Sequence, residues 1–237
     1  MSGSFSAAVK QAADLLDLQG RVLPASEVPL TLCAAYDDGV TVIGEANVTN
    51  TSAGVERVWV DPMDPIPSPG VLRSLEEADA IILGPGSLYT SIIPNLLVAG
   101  VGRAIHEAGA IKIYVCNLMT QPGETGGYTA VDHLRSLQSY LPPRTIDVCI
   151  LNTGHVGNGL AKRYSRSGSE AVVGNEADIR QMGVIPIAAP LLSGEAPKVR
   201  HDPEVLARLI VSLARDAMST SWAVTDCPLP FSEEKVA

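Results

Sequence analysis

Residues 78–97 of this chain read ADAIILGPGSLYTSIIPNLL, and their pattern decides the fold class. Ala80 to Leu83 is a short apolar run of the kind buried in a sheet. Gly84-Pro85-Gly86-Ser87 is a tight turn, and a helix starts from about Leu88. A strand, a glycine loop and a helix N-terminus in that order suit anion binding, because the free N–H groups of a first helical turn and its positive dipole end hold phosphate without a basic side chain. Gly84 and Gly86 let a ligand approach the backbone, and Ser87, Thr90 and Ser91 add hydroxyl donors. Pro94 lacks an N–H and crowds the preceding turn, so the helix either stops near Ile93 or restarts with Pro94 in its first turn. The same residues also serve as a plain turn and cap between a strand and a helix, and locally both readings stand.

From Gly70 onward, continuous apolar strands alternate with helices, which is how a parallel sheet buried on both faces reads. The spacing predicts helices over residues 71–78, 98–108, 127–140 and 159–165, and a closing helix from Pro203 with Asp202 as its N-cap. Strands are predicted at 112–116, 146–151, 171–173 and 184–188. In an open parallel sheet, ligands sit beyond the carboxyl ends of the strands. Three successive strands are followed by Gly84–Ser87, by Asn117–Thr125 and by Asn152-Thr153-Gly154-His155, all short-side-chain polar loops containing glycine. Together they predict one recognition rim that includes Asn117, Thr120, Asn152, Thr153 and Gly154.

Before Gly70 the texture differs. Residues 5–18 carry apolar positions at Ala8, Ala12, Leu15 and Leu16, an amphipathic helix capped by Ser2 or Ser4. Runs at 30–35 and 40–46 flank Tyr36-Asp37-Asp38-Gly39, whose Asp-Gly step predicts a hairpin; a further strand at 55–60 leads into the proline-rich 61–69. The domain expectation is therefore a single domain: a helix and small antiparallel unit over 1–69, a parallel α/β part over 70–219, and a loose tail over 220–237.

Composition narrows the function classes. Seventeen Lys and Arg against 26 Asp and Glu leave a net charge of -9, which argues against nucleic acid or an anionic membrane as the main partner. A small phosphorylated ligand remains compatible, since backbone amides and one or two arginines suffice to hold it. Cys33, Cys116, Cys149 and Cys227 have no CxxC spacing, and three lie in apolar runs, so they read as reduced core residues. The first residues lack the pattern of a signal peptide, and no run approaches the ~18 apolar residues of a membrane span. The expectation is a cytoplasmic protein with no membrane insertion, in which the sequons at Asn47 and Asn50 are silent.

Single residues add candidates. Arg163 reaches a diphosphate or is solvated, and Tyr128 stacks on a base, bonds a sugar or packs at a helix start. Asp132 and His133 are helix neighbours that do not face each other, and Asp37 and Asp38 belong to a turn. His155 lies in the rim; His106 and His201 read as structural or solvated. No residue stands out as a catalytic nucleophile.

The segments ADAIILGPGSLYTSIIPNLLVAGV, KIYVCNLMTQPGETGGYTAVDHL and VRHDPEVLARLI, with GRVLP at 20–24, closely resemble the gluconeogenesis factor (YvcK-like) family of bacterial proteins, which is similar to the CofD transferases of coenzyme F420 biosynthesis. The resemblance covers essentially the whole chain. It implies a Rossmann-like, three-layer CofD fold and a cytoplasmic role in cell shape and cell-wall homeostasis during gluconeogenic growth. It also implies binding of a nucleotide sugar such as UDP-N-acetylglucosamine, or of a nucleoside diphosphate. Residues Gly84 to Ser91 would lie against the diphosphate, with Asn117, Tyr128 and Arg163 lining the same cleft. The alternative it implies is a CofD-like transferase of phospholactate-type groups that uses a divalent cation; a scaffold binding only proteins is a third option. Family members begin with a strand and a G-G-G-T-G loop followed by a D-D-G-G segment, and this chain begins about a third of the way along that pattern. The expectation is a fragment, a mis-started frame, or an N-terminal half-site supplied from elsewhere, with free apolar sheet edges that favour pairing, as in a homodimer.

Overall fold

The structure is a computed structural model that describes residues 4–48, 54–194 and 197–219. Helix α1 (Phe5–Leu15) starts at Ser4, whose hydroxyl accepts from the Ala7 N–H. It ends three residues earlier than its pattern suggests, and none of its residues is buried; Leu15 is 87% exposed. Strands β1 (Thr31–Tyr36) and β2 (Thr41–Ile43) form the expected hairpin, and β3 (Val55–Asp61) pairs with the other side of β1. The order β2-β1-β3 is antiparallel throughout. The second hairpin strand is shorter than its apolar run, because Gly44, at φ +94°, turns the chain into the short helix α2 (Glu45–Val48).

The parallel half begins with α3 (Val71–Glu76) and β4 (Ala80–Leu83). A π-helical turn, Leu88–Ile92, follows the glycine loop, and α4 (Ile93–Leu96) restarts with Pro94 in its first turn. The helix predicted over 98–108 is the shorter α5 (Val101–Glu107), starting after Gly100. Then come β5 (Ile111–Val115), α6 (Ala130–Gln138), β6 (Val148–Asn152), α7 (Asn158–Ser165), α8 (Glu176–Gln181), β7 (Ile185–Ala189) and α9 (Pro203–Ser219). Helix α6 begins at Ala130, not Gly127, since Thr129 and Asp132 form a reciprocal capping box there. The predicted strand at 171–173 reduces to a single bridge between Ala171 and Met119, and α8 has no counterpart among the sequence expectations. Cys227, the Asn50 sequon and the tail beyond Ser219 lie outside the described residues.

Strands β4-β5-β6-β7 form one parallel sheet in sequence order. Alternation sorts their side chains between two cores. Ile113, Val115, Val148, Ile150 and Ile187 pack under α9 through Leu206, Leu209 and Leu213. Ile81, Leu83, Tyr114, Cys116, Cys149 and Leu151 face the opposite layer, where α6, the π-helical turn and the inner face of the antiparallel sheet meet. The outcome is a mixed α/β fold with a parallel main sheet and a small antiparallel one. Cys33, Cys116 and Cys149 are buried thiols. No single helix among the described residues is long and apolar enough to cross a membrane. Replacing Thr129 by Ala removes the α6 cap and should lower the urea midpoint by the equivalent of ~1 kcal/mol with an unchanged m-value.

Candidate functional site

Parallel order puts the loops after β4, β5 and β6 at one end of the sheet, and the segment after β7 folds back over them. Leu192 bridges His201, the Ser193 N–H donates to the Arg200 carbonyl, and the Asp202 N–H donates to the Leu191 carbonyl. Asp202 then caps α9, its carboxylate accepting from the N–H groups of Glu204 and Val205 at 3.0 Å. Between this hairpin and the β4 and β5 loops lies a crevice of about 500 Å³. Pro85, Met119 and Leu206 give it apolar walls, and Gly86, Asn117, Gln121, Tyr164, Arg200 and His201 bring polar groups to it. That volume and mixture suit a small molecule recognised by a few fixed polar contacts.

A second cavity of about 500 Å³ adjoins it, with Val199 lining both. It contains the Gly154–Leu160 loop, Ser193 and Lys198. Helix α7 begins at this region with Gly157 at its N-cap and no side-chain cap, so no capping side chain takes its first N–H groups. Along 198–200, Lys198 lines one cavity and Arg200 the other.

The residues expected from sequence divide between these cavities and the scaffold. Gly86 and Asn117 line the first crevice, and Gly154 the second. Gly84 and Ser91 instead line a groove of about 570 Å³ along β4, together with Gly86. Gly84, at φ +88°, has no room for a side chain, since a Cβ would sit 3.0 Å from the Val115 carbonyl oxygen. The Ser87 hydroxyl accepts from the Gln121 amide at 2.7 Å. Thr90 donates to the Glu124 carboxylate at 3.2 Å, and the Tyr89 N–H donates to the same carboxylate at 3.3 Å. The donors at the start of the π-helical turn thus already meet an anion from within the chain. Glu124 is 2% exposed, and burial pushes its carboxyl above the ordinary value against the pull of those two donors.

Thr120 binds the incoming 169–170 segment: its hydroxyl accepts from the Glu170 N–H and its carbonyl from the Ser169 hydroxyl. Tyr128 bonds Tyr89 through their hydroxyls and meets the His133 ring edge-on, in the layer beneath α6. Asn152 is fully employed. Its Oδ1 accepts from the N–H groups of Gly154 and Leu191, and its Nδ2 donates to the Gly154 carbonyl. Thr153 is exposed, with its N–H on the Ala189 carbonyl. Arg163 donates to the Pro197 carbonyl and lies over the Tyr164 ring.

Gln121 belongs to the Asn117–Thr125 loop of the expected rim, whereas Tyr164, Arg200 and His201 lie outside that rim. The expected rim consists of the loops following three strands, and the hairpin returning from β7 carries no glycine motif. The usable signal was position, since Arg200 and His201 directly precede the capped start of α9.

Comparison with known proteins gives consistent results. The family described as 2-phospho-L-lactate transferase CofD matches residues 1–192. A Thermotoga maritima relative is 43% identical over 222 residues, 91% of this chain and 69% of its own length. The gluconeogenesis factor of Bacillus subtilis is 35% identical over 216 residues, covering 91% of this chain and 68% of that protein. A crystal structure of a UPF0052 family member from Bacillus halodurans superposes with a TM-score of 0.84 at 33% identity, over 87% of this chain and 66% of the other. The chain spans about two thirds of the length of these relatives.

Two outcomes follow from the local geometry. Asn152→Ala leaves the Leu191 and Gly154 N–H groups without their acceptor and should cost about 1–3 kcal/mol in chemical denaturation, while Asn152→Asp keeps both accepted bonds and costs less. Glu124 titrates higher folded than unfolded, so its stabilising share is complete below the ordinary value of 4.5 and is lost as pH rises through the raised one. Glu124→Gln should therefore gain on the wild type as pH increases, read from urea midpoints across that range.

Proposed function

Because this chain belongs to the CofD family, and within it to the gluconeogenesis factors, we propose that it binds a nucleotide sugar of the UDP-N-acetylglucosamine type in the paired cavities at the carboxyl end of its parallel sheet. The observation that carries this reading is the two-part cleft divided at Val199, with Arg200 on one side and Lys198 on the other. A diphosphate crossing that divide lies between two cations, and the two ends of the ligand occupy the two cavities. The open N-terminus of α7 adds backbone donors on the Gly154 side. The biological role that goes with this is a cytoplasmic regulator of cell shape and cell-wall homeostasis during gluconeogenic growth, with the nucleotide sugar as its small-molecule partner.

The family's description also supports a second reading, a transferase of phospholactate-type groups. Such a reaction calls for a divalent cation held by carboxylates. Among the described residues no three His, Cys, Asp or Glu side chains gather in a way that could hold one. The described residues do not by themselves form that site. Turnover of a labelled GDP-linked donor with magnesium separates the two readings.

Thermal melting with UDP-N-acetylglucosamine, GDP or inorganic phosphate tests the first. A ligand that binds only the folded chain at 100 times its dissociation constant adds about 2.7 kcal/mol. A shift selective for the UDP sugar is expected, reduced by Arg200→Ala and Lys198→Ala; equal shifts with phosphate alone, or none, would overturn the reading.

A further inference from the structure

Two buried atoms that meet no hydrogen-bond partner, Asn117 Oδ1 and His201 Nε2, belong to residues lining the same crevice. Asn117 leaves the carboxyl end of β5, and His201 is fixed on the opposing hairpin by its bridge to Leu192. Backbone pairing therefore holds His201, and Asn117 directly follows Cys116, whose N–H bonds the Ile150 carbonyl. The amide oxygen of Asn117 is an acceptor only. The Cys116 carbonyl lies beside the His201 ring and pulls its pKa upward, and Nε2 meets no partner. Burial outweighs that pull and favours the neutral ring, whose Nδ1–H tautomer offers Nε2 as a second acceptor.

Buried polar atoms in folded proteins are almost always paired. Two unpaired acceptors on one crevice point to donors arriving with a ligand. A diphosphate linkage carries no O–H at neutral pH, so it would set acceptor against acceptor here. Sugar hydroxyls donate. The nearby Gln121 amide already serves Ser87.

We propose that Asn117 Oδ1 and His201 Nε2 together accept hydrogen bonds from sugar hydroxyl groups, so that this part of the crevice reads the neutral sugar of the ligand and not its phosphates. The proposal rests on the crevice being the nucleotide-sugar site. Calorimetric titration of the 237-residue chain with UDP-N-acetylglucosamine, UDP, 2′,3′-dideoxy-UDP and pyrophosphate tests it. Asn117→Leu and His201→Leu should each weaken the hydroxyl-bearing probes by about tenfold to a hundredfold and leave pyrophosphate unchanged. Asn117→Asp and His201→Gln, which retain an acceptor, should recover most of the loss. A loss that appears with UDP and vanishes with the dideoxy compound assigns the ribose. A loss seen only with UDP-N-acetylglucosamine assigns the hexose.

Without ligand, Asn117→Leu should melt no lower than the wild type, because it removes an unpaired acceptor; a lower melting point would indicate a structural role and count against the proposal. Nucleotide binding unchanged in both leucine variants overturns the acceptor pair and leaves the nucleotide reading intact. If no nucleotide binds, ribose 5-phosphate and N-acetylglucosamine 1-phosphate replace them. Binding of those that falls in the leucine variants keeps the acceptor pair and sinks the nucleotide reading, and no binding of any sugar probe overturns both.

Discussion

Parallel pairing of β5 with β6 is the constraint on which the rest of the molecule depends. Ile113 pairs with Val148 and Tyr114 with Cys149, and all four side chains are fully buried. Two strands covered on both faces can sit only in the middle of a layered α/β fold. Once they run in the same direction, every connection must return across the sheet, and every strand delivers its following loop to the same end. The crevice follows from that geometry before any of its side chains is specified. The hairpin after β7 then closes it, with Asp202 ending the hairpin and starting α9 in one residue.

Backbone donors explain how the glycine loop behaves. The first turn of a helix exposes N–H groups that require a partner. In a strand-glycine loop-helix arrangement that partner can be a ligand, but in this chain Glu124 reaches back from the next loop to take the Tyr89 N–H and the Thr90 hydroxyl. Gln121 likewise engages Ser87. The 117–125 loop is thereby tied down along the 87–90 segment, which fixes Asn117 at one end of it while using up the donors at the other. The donors at the helix start are thus used within the chain, while the loop presents an unpaired acceptor, Asn117 Oδ1.

Much of the architecture was legible in the sequence, and the reasons are local. The apolar runs that became β4 to β7 have no competing explanation, the Asp-Gly step marks the hairpin, and Pro94 announces a restart, which occurs at Ile93. What stayed hidden depended on partners distant in sequence. Asn152 reads as a rim residue, but its amide staples β6 to the segment after β7. Thr120 reads as a ligand donor, but it docks a chain segment fifty residues further on. His201 reads as structural or solvated, and the returning hairpin is what turns it inward. The short helix α8 was missed because six residues carry too little periodicity to be seen.

Strand β4 differs from its neighbours in having a single ladder, since among the described residues its only strand partner is β5. The two walls of the crevice therefore differ in stiffness. Asn117 extends from a strand braced on both sides, whereas Gly86 hangs from one braced on one side and flanked by an open apolar groove. A rigid wall facing a compliant one lets a ligand be gauged by the first and accommodated by the second. At the proposed site, ligands of different girth would be taken up at the β4 loop, with the polar groups on the other wall held in place.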